Sequence, residues 1–141
     1  MTRSLKEPIW SSHDTGPRVL VEVTDFTKRD AIGKILAREG FAVRTCGGPD
    51  EFGERCPLTD RGECTGPAGA DVVVHSTPPS SPTSREVLQA IRHRHPHTPL
   101  VVEVPLPLVT EHPEDYEGIR VLPQPMTSAS LLEAVEEVLA G

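Results

Sequence analysis

Three cysteines, Cys46, Cys56 and Cys64, are the residues of this 141-residue chain best suited to chemistry, and their C-x9-C-x7-C array fills its least regular stretch. Thiolates bind Zn²⁺ and iron–sulfur clusters, and a proline directly after a ligand cysteine, as at Cys56-Pro57, occurs in iron–sulfur runs. With a fourth donor from His75, Asp50, another histidine or an external ligand, the candidate metal set is Cys46, Cys56, Cys64 and His75, holding an Fe–S cluster or Zn²⁺. The array has no C-x-x-C knuckle, so neither metal signature is complete. A thiol switch is the alternative: Cys56 and Cys64 close a disulfide, Cys46 exchanges with one of them, and Arg55 and Arg61 favour the thiolates. In the third reading the thiols do no chemistry, and Cys46 is a small buried hydrophobe at a strand end.

The other reactive side chains offer less. His93, His95 and His97 lie at a helix end before or just after Pro96, where a protonated imidazole decorates a solvated C-terminus and is favoured by the helix dipole. His75 sits inside a valine run and reads as a hydrogen-bonded core histidine at a strand end. Ser76 is its neighbour, but alternate residues of a strand face opposite sides, so the two form no dyad by adjacency. There is no Walker loop, Rossmann glycine fingerprint or zinc-protease helix, and the chain is not expected to be an enzyme.

Elements must position these groups, and the bulk composition bounds them. One domain is expected at this length. The net charge of −7, pI near 5.3 and scattered positive residues argue against a nucleic-acid partner. No apolar run suits a signal peptide or a membrane span, so the expected location is cytoplasmic, where an odd set of cysteines makes a poor disulfide framework. Residues 1–17 are expected to form an arm, flexible unless Trp10 docks it onto a domain spanning 18–141.

Along that domain, RVLVEV (18–23) reads as a strand. A helix follows, with Ile32, Ile35 and Leu36 on its apolar face and Gly40 at its end, and FAVRTC (41–46) is a second strand. Residues 47–69, rich in glycine and proline, are expected to form a 23-residue loop. DVVVHS (71–76) is a continuous valine run suited to a strand buried on both faces. A helix should run from a Thr83–Glu86 capping box to Arg94, followed by the strand LVVEV (100–104). Prolines interrupt residues 105–118 too often for a full helix and leave room for a turn or two in EHPEDYE (111–117). Ile119–Leu122 is a fifth short strand, and Leu131, Leu132, Val135, Val138 and Leu139 make one face of the last helix. Alternating strands and helices imply right-handed crossovers in a parallel sheet.

The order of these stretches resembles the response-regulator receiver domain. RVLVEVTD is similar to its first strand and acidic turn, GADVVVHSTPPS to its third strand and loop, HPHTPLVVEVP to its fourth strand, and RVLPQPMTSASLLEAVEEVL to its last strand, lysine–proline junction and final helix. The resemblance implies an α/β fold with an open five-stranded parallel sheet in the order 2-1-3-4-5, helices on both faces, and the Cys-containing loop in place of the second helix. It also implies an aspartyl phosphorylation site, yet the positions that match are degenerate. The acceptor falls on Ser76, the acidic pair on Val23 and Thr24, the switch hydroxyl on Val104 and the lysine on Gln124. Only Asp25 and Glu22 lie near the acidic pair, and Glu22 should point away from the face of Val23.

The expectation is therefore a stand-alone, phosphorylation-independent receiver-like domain that regulates through contact with a protein partner or a second copy of itself. Its docking surface is either the 105–117 segment with Val121 and the last helix, or the Cys loop. The alternative is a metal or thiol redox sensor using the three cysteines. The leading reading requires no cofactor.

Overall fold

The computed structural model describes residues 9–47, 64–76 and 84–141. Five strands, β1 (Arg18–Val23), β2 (Ala42–Cys46), β3 (Val72–Ser76), β4 (Leu100–Val104) and β5 (Arg120–Pro123), form one parallel sheet in the order β2-β1-β3-β4-β5. The expected α/β architecture and strand order are observed. The helices among the described residues are α1 (Phe26–Arg38), α2 (Thr65–Gly69), α3 (Ser84–Arg94), α4 (Leu106–Glu111) and α5 (Ser128–Ala140), with a 3-10 turn at Pro113–Tyr116. None is long and apolar enough to cross a membrane.

Strand alternation divides the core into two layers. Val19, Val21, Val23, Val72, Val74 and Val101 meet Ile32 and Leu36 of α1 and Leu131, Ala134 and Val135 of α5. On the other face, Leu20, Val73, Val102 and Val104 pack with Val87, Leu88 and Ile91 of α3. Because both faces are covered, the central strands can be nearly all valine. The helix ends follow local chemistry. Asp25 caps α1 by accepting from the Lys28 N–H at 3.0 Å, and Gly40 takes φ +92° beyond its end. Thr127 and Ser130 cap each other at the start of α5.

Two regions differ from the sequence reading. Residues 65–69, placed in a loop, form the single turn of α2, and residues 106–111 form α4 ahead of the 3-10 turn, which falls where a turn was expected. In α4 the proline that was read as an interruption, Pro107, stands in the first turn, where its missing N–H has no intrahelical partner to lose. The remainder of the expected Cys loop, 48–63, and Thr83 of the expected capping box lie outside the described residues.

Trp10 docks the N-terminal segment. Its indole N–H donates to the Gly66 carbonyl at 2.9 Å, its ring packs with the α3-side core, and the Arg18 and Arg44 guanidinium groups lie 5.7 and 5.4 Å from its centroid. Arg44 also donates to the Ile9 carbonyl and pairs with Asp14, each at 2.8 Å. The Ser11 N–H bonds Asp14 in turn at 2.8 Å, and with the nearby guanidinium groups this holds the Asp14 carboxyl below the usual carboxylate range.

Candidate functional site

The carboxyl ends of the strands carry two buried polar clusters, one on each face of the sheet. The first centres on Glu103, an acidic residue within the apolar run of β4 and 3% exposed. Its Oε1 accepts from the Ser76 hydroxyl at 2.7 Å and pairs with the Lys28 ammonium, while its Oε2 accepts from the Met126 N–H at 2.9 Å. β3 supplies the hydroxyl, β4 the carboxylate, the first turn of α1 the ammonium, and the segment before α5 the backbone donor. Burial pushes the Glu103 carboxyl up, but the hydrogen bonds from Lys28, Ser76 and Met126 and the Lys28 charge outweigh it and hold the group below the ordinary carboxylate range.

The positions matched to a receiver's phosphorylation residues stand as follows in the structure. At the switch-hydroxyl position, the side chain of Val104 belongs to the α3-side core, and the preceding residue, Glu103, shares the face of Ser76. The reason is the strand period of two: a one-residue offset moves a side chain to the opposite face. At the other matched positions, Val23 is fully buried in the α1-side core, Thr24 is half-buried and Gln124 is exposed. Asp25 serves as the α1 cap. Glu103 and Lys28 were not singled out from the sequence. The available signal was an ionisable residue flanked by valines in LVVEV, which must find partners if it is buried.

The second cluster lies on the α3 side. Glu22 and His75 are 2% and 3% exposed, adjacent in the β1–β3 register, with Nδ1 and Oε2 2.5 Å apart. Glu22 does point away from the face of Val23, as alternation requires. Cys46 is the β2 residue in register with Glu22. Cys64, buried at the start of α2, packs in the core layer that contains Leu20 and Val73. The fourth member of the expected metal set, Cys56, lies outside the described residues. Among the described residues, the group of His, Cys, Asp and Glu whose ligand atoms all lie within 4.8 Å is His112, Glu114 and Asp115. Asp115 is already held by Arg85 at 2.9 Å.

Of the histidines near the end of α3, His93 and His97 are exposed. His95 is half-buried, and burial pushes its imidazole down, the opposite of the protonated helix-end role expected for it.

No protein-family model matches this chain, and no curated protein matches it. Its fold is similar to that of solved receiver domains. A CheY-like response-regulator receiver domain protein from Methanospirillum hungatei is 18% identical, with a TM-score of 0.64 over 88% of this chain and 94% of that one. A receiver domain protein from Clostridium thermocellum is 21% identical, with a TM-score of 0.65 and the same coverage. A structure described as an adenylate cyclase from Rhodopirellula baltica is also similar, at 17% identity and a TM-score of 0.66 over 87% of each chain. These likenesses establish the receiver-type fold.

Proposed function

We propose that the chain is a receiver-like regulatory domain that acts through protein contact without aspartyl phosphorylation or catalysis. The observation that carries this reading is the Glu103 cluster. A receiver's acceptor chemistry needs a carboxylate on β3, acidic metal ligands after β1 and a hydroxyl on β4. Here the hydroxyl is Ser76 on β3 and the carboxylate is Glu103 on β4, with Lys28 beside it. The carboxylate and the hydroxyl are present with their places exchanged, and Lys28 neutralises the negative charge from within. A cation at the Glu103 carboxylate would have to displace the Lys28 ammonium, and Ser76 lacks the carboxylate that forms an acyl phosphate. The partner, another protein or a second copy, would dock on the surface formed by the 105–117 segment, Val121 and α5, where Leu106 is 55% exposed.

The test is incubation of the full chain with acetyl phosphate and Mg²⁺, read by intact mass beside a receiver that retains its aspartate. The expected spectrum has no stable phosphoryl adduct. A stoichiometric, Mg²⁺-dependent adduct would overturn the reading.

A further inference from the structure

The side of α1 toward the sheet edge is left open by the fold. β2 is the outer strand; α1 packs along it, while α5 lies over β3, β4 and β5. Between α1 and β2 runs a groove of about 240 Å³, lined by Gly33, Ala37, Val43 and Thr45 with Phe26, Asp30 and Lys34 beside them. Phe26, Asp30, Gly33 and Ala37 recur at i, i+4, i+7 and i+11, so they form one stripe along about 16 Å of α1.

Two features of this stripe have no explanation within one copy of the chain. Phe26 is 67% exposed, the most exposed large apolar side chain among the described residues, although its ring lies against the Arg29 guanidinium. Gly33 stands inside a helix, where alanine is favoured over glycine. A methyl group there would lie 3.5 Å from Thr45 Cγ2 and 3.7 Å from Val43 Cγ1, ordinary contact distances, so the packing of α1 on β2 does not demand glycine. An apolar knob at one end of the stripe and a bed of small residues at the other are two halves of a contact.

The charges between them select the occupant. Asp30 and Lys34 are exposed and pair with each other at 2.9 Å, one helical turn apart. In a twofold contact the same patch serves both partners, so residue i meets j wherever j meets i. Antiparallel α1 helices with the axis level with Ala31 and Ile32 satisfy this along the whole stripe. Asp30 faces the second copy's Lys34, Lys34 faces its Asp30, and Phe26 faces its Ala37. Each Phe26 then enters the other copy's groove beside Ala37 and Val43, and Gly33 lets the two backbones approach.

We propose that the groove between α1 and β2 is a dimer interface whose occupant is α1 of a second copy of this chain. The contact is small and its ion pairs are exposed, so the dimer is weak and forms as concentration rises. The surface of residues 105–117, Val121 and α5 stays open in both copies, so the two interfaces are independent.

The test is sedimentation equilibrium of the full chain over a concentration series, beside the charge reversals Asp30→Lys and Lys34→Asp. The wild-type chain is expected to associate to a dimer and no further. Each reversal sets like charges opposite each other at both ends of the contact and should weaken association at least about tenfold. Mixed one to one, the two variants regain opposite charges at both ends, and native mass spectrometry should resolve their heterodimer. Phe26→Ser, which keeps both charges, should also weaken the dimer. Circular dichroism reports whether each variant is folded; if a charge reversal is not, Phe26→Ser decides. A wild-type chain that stays monomeric at millimolar concentration, single reversals that associate as strongly as the wild type, or a mixture without heterodimer would overturn the proposal. A dimer kept in Phe26→Ser and lost in Leu106→Glu would put the second copy on the 105–117 surface and overturn it as well. An acetyl phosphate adduct would overturn the phosphorylation-independent reading without touching this one.

Discussion

Lys28→Met is expected to lower the unfolding free energy by about 2 kcal/mol at neutral pH, because it leaves the Glu103 carboxylate buried without its countercharge. The side chains are unequally placed: that of Glu103 is 1% exposed and that of Lys28 is 36% exposed. Partial solvent screening of the ammonium and the surviving bonds from Ser76 and Met126 keep the loss below what a fully buried pair would show. The pH dependence has a definite sign. A carboxyl held below its unfolded value of about 4.3 contributes stability that is complete above that value and is lost as pH falls through the folded value. The deficit of Lys28→Met should therefore shrink on acidification, as Glu103 takes up a proton in both proteins. Adding Glu103→Gln to Lys28→Met should recover part of the neutral-pH loss by removing the unpaired charge. Denaturant unfolding of the three proteins at neutral and acidic pH measures this, and an equal deficit at both would contradict it.

The second large effect concerns Trp10. Trp10→Ala should cost about 3 kcal/mol, at the low end for removing a large aromatic side chain because the ring is only partly buried. It also removes the bond to Gly66 and the surface on which Arg18 and Arg44 lie. Gly69→Ala provides an independent check. A methyl group built at Gly69 overlaps the Trp10 ring, so the ring must move. Alanine favours a helix over glycine by about 1 kcal/mol, and without that overlap the substitution would stabilise the short turn of α2. The expected result is a loss of stability with a red shift in the emission of the chain's single tryptophan. A stabilised Gly69→Ala with unshifted emission would show that the indole does not sit there.

Much of the scaffold was legible because it rests on local patterns. The valine runs of β1, β3 and β4 need burial on both faces, and the apolar stripe and end signals of α1 and α5 fix those helices wherever they pack. Together they imply the parallel order that is observed. The turn of α2 carried no such pattern: TGPAG has no apolar period, and its helical turn packs beside Trp10, a residue more than fifty positions earlier in the chain. Polar partners were hidden for the same reason. Glu103 could be recognised as an acid in an apolar strand, but Lys28 and Ser76 reach it from elements 75 and 27 positions away in the chain.

The sequence by itself determined that the chain forms an open α/β sheet, and its resemblance to a receiver puts Ser76, Val23, Thr24 and Gln124 at the acceptor, acidic-pair and lysine positions. Both follow from side-chain type and period, which are local properties. Tertiary structure decided which face of the sheet each remaining ionisable residue occupies and what it meets there. A shift of one residue in a strand exchanges the two faces, and only the register of neighbouring strands sets Glu103 beside Ser76 and Glu22 between Cys46 and His75. The cysteine array that stood out first in the sequence has two described members, and tertiary structure sets Cys46 in register with Glu22 and packs Cys64 in the α3-side core.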